Sequence, residues 1–463
     1  MSRLNQMVAI ACALTGCGDL VFSDRDDRAH GPVPLVVTYS ENPAIYRVDR
    51  TIADNVPSVV GEVPTAFAIV PPLPDGLRFD TTTGVISGTP TAISAMTEYS
   101  VHAAGPTATG TVVLRIAVKP ATVVTSGIIT AGIKHSCAVV DGGALCWGSN
   151  EFGQLGNGST VDSHVPVRVA GLPGRVQTIA AGRTHTCALS NGSVFCWGDN
   201  KGGWLGNNTI VNSPVPVQVV GLRASAEAIT AGNGHTCAVA GGGAYCWGSN
   251  SVYQLGNDSE VSYSTVPVEV AGLSNGVQAI AAGIDHTCAV VRGGVFCWGL
   301  NVSGDLGSMT APSASAVPLQ VAGLRGDVSA LGMGTYSSCA LAVGALACWG
   351  AGSAIVPVND FMSGVQAIAG GLSHMCVIVN GGVQCWGSNG FGERGAGEIS
   401  DAISTVPSVV FAHGAQAIGA STWHTCAMVD DSLKCWGDNG SGQLGNGSTT
   451  NSGVPVTVAP SAG

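Results

Sequence analysis

Residues 185–198 read HTCALSNGSVFCWG. At the centre, Asn191-Gly192 is a dipeptide that two-residue hairpin turns favour, because both central positions of such a turn take positive φ. Counting outward from the turn, Ser190 faces Ser193, Leu189 faces Val194, Ala188 faces Phe195 and Cys187 faces Cys196. Hydrogen-bonded and non-hydrogen-bonded pairs alternate along such a ladder, which puts the cysteines at a non-hydrogen-bonded pair. There the Cα atoms approach to roughly 4.5 Å, a separation that a disulfide tolerates.

The pattern occurs seven times, the cysteines always nine positions apart and Trp-Gly after the second. The pairs are Cys137 and Cys146, Cys187 and Cys196, Cys237 and Cys246, Cys288 and Cys297, Cys339 and Cys348, Cys376 and Cys385, and Cys426 and Cys435. The other turns centre on Asp141-Gly142, Gly241-Gly242, Arg292-Gly293, Val343-Gly344, Asn380-Gly381 and Asp430-Asp431, and the last, without glycine, is the poorest. Seven cross-strand disulfides imply an oxidising compartment. Reduced buried thiols in a cytosolic protein are the competing interpretation. Zinc fits less well, because each pair lacks a second C-x-x-C or a histidine at metal spacing. The units recur at intervals of 50, 50, 51, 51, 37 and 50 residues. A period near fifty with strand-like content points to a closed array such as a propeller. In the second unit apolar runs predict strands near Val176–Ala180, Thr186–Leu189, Val194–Trp197 and Val215–Val220. Four strands make one blade, and seven blades close a ring. The expected fold class is therefore all-β, with a seven-bladed β-propeller over residues 128–459.

The N-terminus bears on compartment too. Met1 to Gly16 has one early Arg3 and a short apolar run from Met7 to Leu14, too short to span a bilayer, and reads as an export signal. Leu14-Thr15-Gly16-Cys17 resembles the lipobox of bacterial lipoproteins, which implies cleavage before Cys17 and lipidation of its sulfur. That accounts for all sixteen cysteines: fourteen in hairpins, Cys12 in the signal, Cys17 acylated. Residues 17–32, rich in Asp and Arg, read as a solvated tether. The expected location is an exported bacterial lipoprotein at the outer membrane, cell surface or periplasmic face.

Glycine is 67 residues of 463 and charged residues are only 10%, which suits short strands joined by tight turns. A net charge of −11 with four lysines disfavours a nucleic-acid surface. Residues 33–119 lack cysteine and alternate apolar and polar positions, as in Thr111–Val118. Their stretch LPDGLRFDTTTGVISGTP, Leu73 to Pro90, resembles the immunoglobulin-like, cadherin-like domains of bacterial surface proteins, which implies a β-sandwich spacer or adhesion module. Some relatives of that kind bind calcium, but beyond Asp75 and Asp80 no acidic ligand set gathers here.

The full second unit, VQTIAAGRTHTCALSNGSVFCWGDNKGGWLGNNTIVNSPVPVQVVGL from Val176, joins AG-x-x-H-T-C-A-L, WG-x-N-x-x-G-x-LG-N and VPV-x-V. That succession resembles the regulator of chromosome condensation repeat. The family includes a eukaryotic exchange factor for a small GTPase and a bacterial secreted inhibitor of β-lactamase, so the resemblance implies a fold more than an activity. His135, His185, His235, His286, His374 and His424 stand two before the first cysteine, with Ser337 in unit five. They are expected to bond backbone within their own blades, not to share a metal. The tryptophans are expected to pack between blades, and Asn157, Asn207, Asn257 and Asn446, although they match the glycosylation pattern, to form Asx-type turns. No P-loop, GxSxG, HExxH or framed carboxylate pair is present, so no enzyme, cofactor or metal is expected.

Repeats form an internal alignment, in which the varying positions are candidates for specificity. Those in the two positions before each histidine, or before Ser337, include Lys134, Arg183, Asn233, Asp285, Tyr336 and Trp423, one loop per blade and hence one face, expected to stand on turns outside the blade core. The predicted function is an envelope binding module with a protein partner, anchored to the membrane by lipid and not binding nucleic acid. The alternatives are an inhibitor of an extracellular or periplasmic hydrolase and a polymer-acting lyase or hydrolase, with guanine-nucleotide exchange disfavoured. Unit five is thirteen residues short, having lost N-x-x-G-x-LG-N, and a notch in one rim is expected there.

Overall fold

A computed structural model describes residues 35–461, apart from 40–41, 43, 48–51, 53, 93, 120–128, 309–311, 325–327, 336, 351–352, 359–360 and 431. All its named elements are strands. The chain divides into two compact units, Met1–Thr122 and Val123–Gly463.

In the first unit, Ala44–Arg47, Thr109–Lys119, Ser94–Ala104 and Ala66–Val70 form one sheet in that order, and Val36–Tyr39 pairs with Pro57–Val60. Alternate residues of these strands (Val37, Tyr39, Phe67, Tyr99, Val101, Leu114 and Ile116 among them) meet in one core. The Leu73–Pro90 stretch forms the small hairpin of Leu77–Phe79 with Ile86–Gly88. Its Asp80 carboxylate accepts the Thr82 and Thr83 amides, which hold its pKa below the usual carboxylate value. This aspartate organises a turn.

The second unit is seven sheets of four consecutive antiparallel strands. The second blade is Val176–Ala181, His185–Ser190, Ser193–Gly198 and Ser213–Gln218. Its central hairpin pairs Ser190 with Ser193, Leu189 with Val194, Ala188 with Phe195 and Cys187 with Cys196, the register counted from the turn. Asn191 and Gly192 take φ of 50° and 75°. The same register recurs in every blade, and each cysteine pair is bonded within its own hairpin. Cys137 bonds Cys146, Cys187 bonds Cys196, Cys237 bonds Cys246 and Cys288 bonds Cys297. Cys339 bonds Cys348, Cys376 bonds Cys385 and Cys426 bonds Cys435. Their Cα atoms stand 4.0–4.1 Å apart, the close approach of a non-hydrogen-bonded pair. Even the Asp430 turn keeps positive φ, at 48°.

The first strands of successive blades touch in a closed circuit, with Ala415–Ala420 of blade seven returning to Ile129–Ala131 of blade one. Among the described residues no strand is shared across that closure, since each blade is a contiguous stretch of chain. The core is accordingly divided into seven interblade clusters. Between blades one and two, Cys137, Cys146, Leu155 and Val169 meet Val176, Ile179, Ala188 and Trp197. A strand's two faces thus serve two seams, with the disulfide turned toward the following blade and the tryptophan toward the preceding one. Burying such side chains stabilises by roughly 1.5–3 kcal/mol each.

The candidate binding face and the seams beneath it

In a four-stranded meander the connections after the first and third strands leave at one end, so each blade presents two loops to the same face. The first carries the residues before the histidine, and the second is the N-x-x-G-x-LG segment. A backbone bond joins them in each blade that has both: Ser149 N donates to Lys134 O, Asp199 N to Thr184 O, Ser249 N to Gly234 O, Leu300 N to Asp285 O, Ser388 N to Ser373 O and Asp438 N to Trp423 O. Opposite Thr184 and His185, Gly198 has φ 105°, and a Cβ there would lie 2.6 Å from Thr184 O. This close approach accounts for the glycine after each tryptophan.

The second loop is stapled by its asparagine. Asn200 Nδ2 donates to Asn207 Oδ1, Thr209 O and Val211 O, while its Oδ1 accepts the Leu205 amide. Asn150 and Asn439 repeat the set. Asn157 and Asn446 cap turns by accepting the Ser159 and Ser448 amides, and Asn207 accepts the Thr209 hydroxyl. The tip of this loop then clasps the next blade. Gln154 O accepts both Thr186 Oγ1 and Trp197 Nε1, each at 2.9 Å, and Gly156 backs onto the same indole.

The histidines depart from expectation. His135 Nε2 lies 2.8 Å from Thr186 Oγ1, across the seam, not against backbone in its own blade. Because Thr186 spends its one proton on Gln154 O, the histidine must donate from Nε2. The same bond joins His185 to Thr236, His235 to Thr287, His286 to Ser338, His374 to Thr425 and His424 to Ser136. Burial pushes the imidazoles down to about 4 for His135, His286 and His374 and to about 3 for His185, His235 and His424, where neighbouring histidines add to the effect. They are neutral interblade struts. Among the described residues no three His, Cys, Asp or Glu side chains gather to hold a metal.

Above these struts the varying residues differ in exposure. Lys134 and Arg183 are exposed, whereas Asn233, Asp285 and Trp423 are half-buried. Tyr336 and Cys17 lie outside the described residues, as do the export signal and the tether. Trp423 stands on its loop outside the core clusters, its ring centroid 5.8 Å from that of Phe391 in the second loop of the preceding blade. Burial raises the Asp285 pKa, opposed by Arg183.

The second loops contribute residues that the sequence reading passed over. Lys201 Nζ is 3.1 Å from Asp199 Oδ2 and lies over two rings, 5.3 Å from the Phe152 centroid and 5.7 Å from that of Trp204. Trp204 stands where three other blades carry Gln154, Gln254 and Gln443. Variation at that position, inside an otherwise repeating string, was the available signal. The face so formed is rigid backbone carrying a cation, two aromatic clusters and changing polar groups, which suits recognition of a folded surface.

The Regulator of chromosome condensation (RCC1) repeat family matches residues 141–189, 191–239, 241–290 and 292–341, and a second description of that repeat matches 176–203 and 277–305. The family described as "Putative Ig domain" matches residues 32–119. No curated protein matches the chain. Among solved structures, Prp20p from Saccharomyces cerevisiae is similar at 20% identity and TM-score 0.61, over 72% of this chain and 88% of that one. Human WBSCR16 is similar at 21% identity and TM-score 0.56, over 71% and 92%. At such identities the likeness is one of fold.

Proposed function

Because this chain carries regulator of chromosome condensation repeats behind an immunoglobulin-like domain, we propose that it is an exported, lipid-anchored binding module. Its propeller recognises a protein partner at the cell envelope through the face that bears Lys134, Arg183, Lys201, Trp204 and Trp423. The observation that carries this reading is the contrast between scaffold and surface. The loops are held by repeated staples and clasps, while the side chains they display change chemistry from blade to blade. Export is supported by the seven disulfides, which need an oxidising compartment, and the anchor by Leu14-Thr15-Gly16-Cys17. Protein recognition has a precedent in the fold, since Prp20p was characterised for its binding properties to Gsp1p and histones.

The test is photo-crosslinking in intact cells, from a reactive amino acid at position 183 and, separately, from one at position 191 on the opposite end of the same blade. A partner captured from 183 and not from 191 supports the reading; capture only from 191 overturns it. Loss of a captured hydrolase's activity would assign inhibition. Turnover of an extracellular polymer by the isolated chain would assign catalysis. The anchor has its own check: Cys17→Ser should release the chain from membranes, and retained membrane association would reject lipidation.

A further inference from the structure

Among the described residues six seams of the ring share one clasp, and the seventh lacks its histidine, its hydroxyl and its loop carbonyl. At each of the six, a histidine donates to a hydroxyl of the following blade, and a loop carbonyl accepts from that hydroxyl and from the tryptophan beside it. Beyond Gln154 O, the set repeats at Trp204 O, Gln254 O, Asp305 O, Glu393 O and Gln443 O. Between blades five and six the histidine is replaced by Ser337 and the hydroxyl residue by Met375, linked only by a weak contact of 3.9 Å from Ser337 Oγ to Met375 Sδ. The clasping loop is missing too, because Ser353–Pro357 follows almost directly on Ala345–Gly350. Trp386 is half-buried there, whereas Trp147, Trp197, Trp247, Trp298, Trp349 and Trp436 are almost wholly buried. It stacks on Phe361, 5.4 Å between centroids, and Phe361 and Met375 fill the cluster that Leu155 and its counterparts fill elsewhere.

We propose that the propeller has one built-in opening seam, between blades five and six, while the seam where the chain's ends meet stays shut. The physical reason is the kind of contact at each place. Hydrogen bonds inside a dry interface fix geometry and leave costly orphans when broken. Apolar packing is non-directional, and half-exposed Trp386 against Phe361 can slide or part by breaking the buried backbone bond from Thr335 N–H to Gly371 O, 3.1 Å, in place of the full clasp. Covalent continuity alone would make the closure between blades seven and one the weak point. It instead carries the full clasp, with His424 and Ser136 2.8 Å apart and both Ser136 Oγ and Trp147 Nε1 on Gln443 O.

Hydrogen exchange followed by mass spectrometry on the full chain, with disulfides intact until quench, reads this directly. Amides of Ser337–Ala342 and His374–Val379 should exchange roughly tenfold or more faster than those of His424–Val429 and His135–Val140. Equal rates throughout, or fastest exchange at the closure, would overturn the proposal. The double substitution His185→Ser with Thr236→Met moves the blade five–six pair to the seam between blades two and three. Exchange in His185–Ser190 and His235–Ala240 should then rise toward that of the natural seam. If the variant folds and those rates stay put, the histidine–hydroxyl pair is not what closes a seam; if it fails to fold, the wild-type map alone decides.

Discussion

The small hydroxyl residue between each histidine and cysteine does more than its size suggests. Thr236 accepts from His185 and donates to Trp204 O, so one side chain closes a seam from both sides. Thr236→Val keeps the shape and strands the buried imidazole N–H, which costs about 1–3 kcal/mol. Thr236→Ser should cost far less, since Ser136 and Ser338 already serve at two other seams. Equilibrium denaturation of the pair of variants checks this, and equal losses would reject it. The internal alignment already contained the clue: the histidine is lost in unit five and the threonine in unit six, the two partners of a single bond. Neither absence identifies its partner without knowing which blades touch. At the surface, Arg183→Ala should change stability by less than about 0.5 kcal/mol, as exposed positions do. Trp423→Ala should cost more, because it also removes the contact with Phe391. Both should weaken partner binding about tenfold or more if the face recognises a protein.

At the level of the element, the decisive unit is the stapled loop after the third strand. Its asparagine makes the contacts that would otherwise fall to secondary structure, so a stretch of irregular backbone can act as a rigid clasp. Asn200→Ala removes Nδ2 bonds to Asn207, Thr209 and Val211 and leaves the Leu205 amide without its acceptor. A loss of about 2 kcal/mol or more and new proteolytic cleavage between residues 200 and 212 are expected. Denaturation and limited proteolysis with peptide mapping check the two, and cleavage elsewhere first would assign the loop's rigidity to other contacts. The hairpins, by contrast, were legible in advance. Turn chemistry at Asn191-Gly192 and a period of two left one register, and the cysteines fell opposite each other in it.

For the whole molecule, six neutral histidines make stability depend on acid. Each is held far below its usual 6.5 by burial, so the folded ring excludes protons that the unfolded chain binds. Stability is therefore complete above about pH 6.5 and falls as pH drops toward the folded values near 4 and 3. The loss is on the order of 2 kcal/mol for each histidine by about pH 5. Among the described residues their hydrogen-bond partners are hydroxyls of the next blade, with no carboxylate to offset the charge. Thermal melts across this range should show a steep fall in Tm below about pH 6. A flat profile would mean that the imidazoles reach water without the ring opening.

What the sequence by itself determined is local or periodic: the hairpin register, the pairing of fourteen cysteines, four strands to a unit and seven units to the array. These follow from turn stereochemistry, from side-chain alternation and from counting, all of which act over a few residues or repeat without change. The tertiary structure decided which blade each repeated side chain serves. His135 and Thr186 are 51 positions apart, and His424 and Ser136 are 288 apart. Spacing alone could assign a histidine to its own blade as readily as to the next. Only the turning of successive sheets about a closed ring brings one blade's histidine to the next blade's hydroxyl, and only the ring reveals that one such meeting is missing.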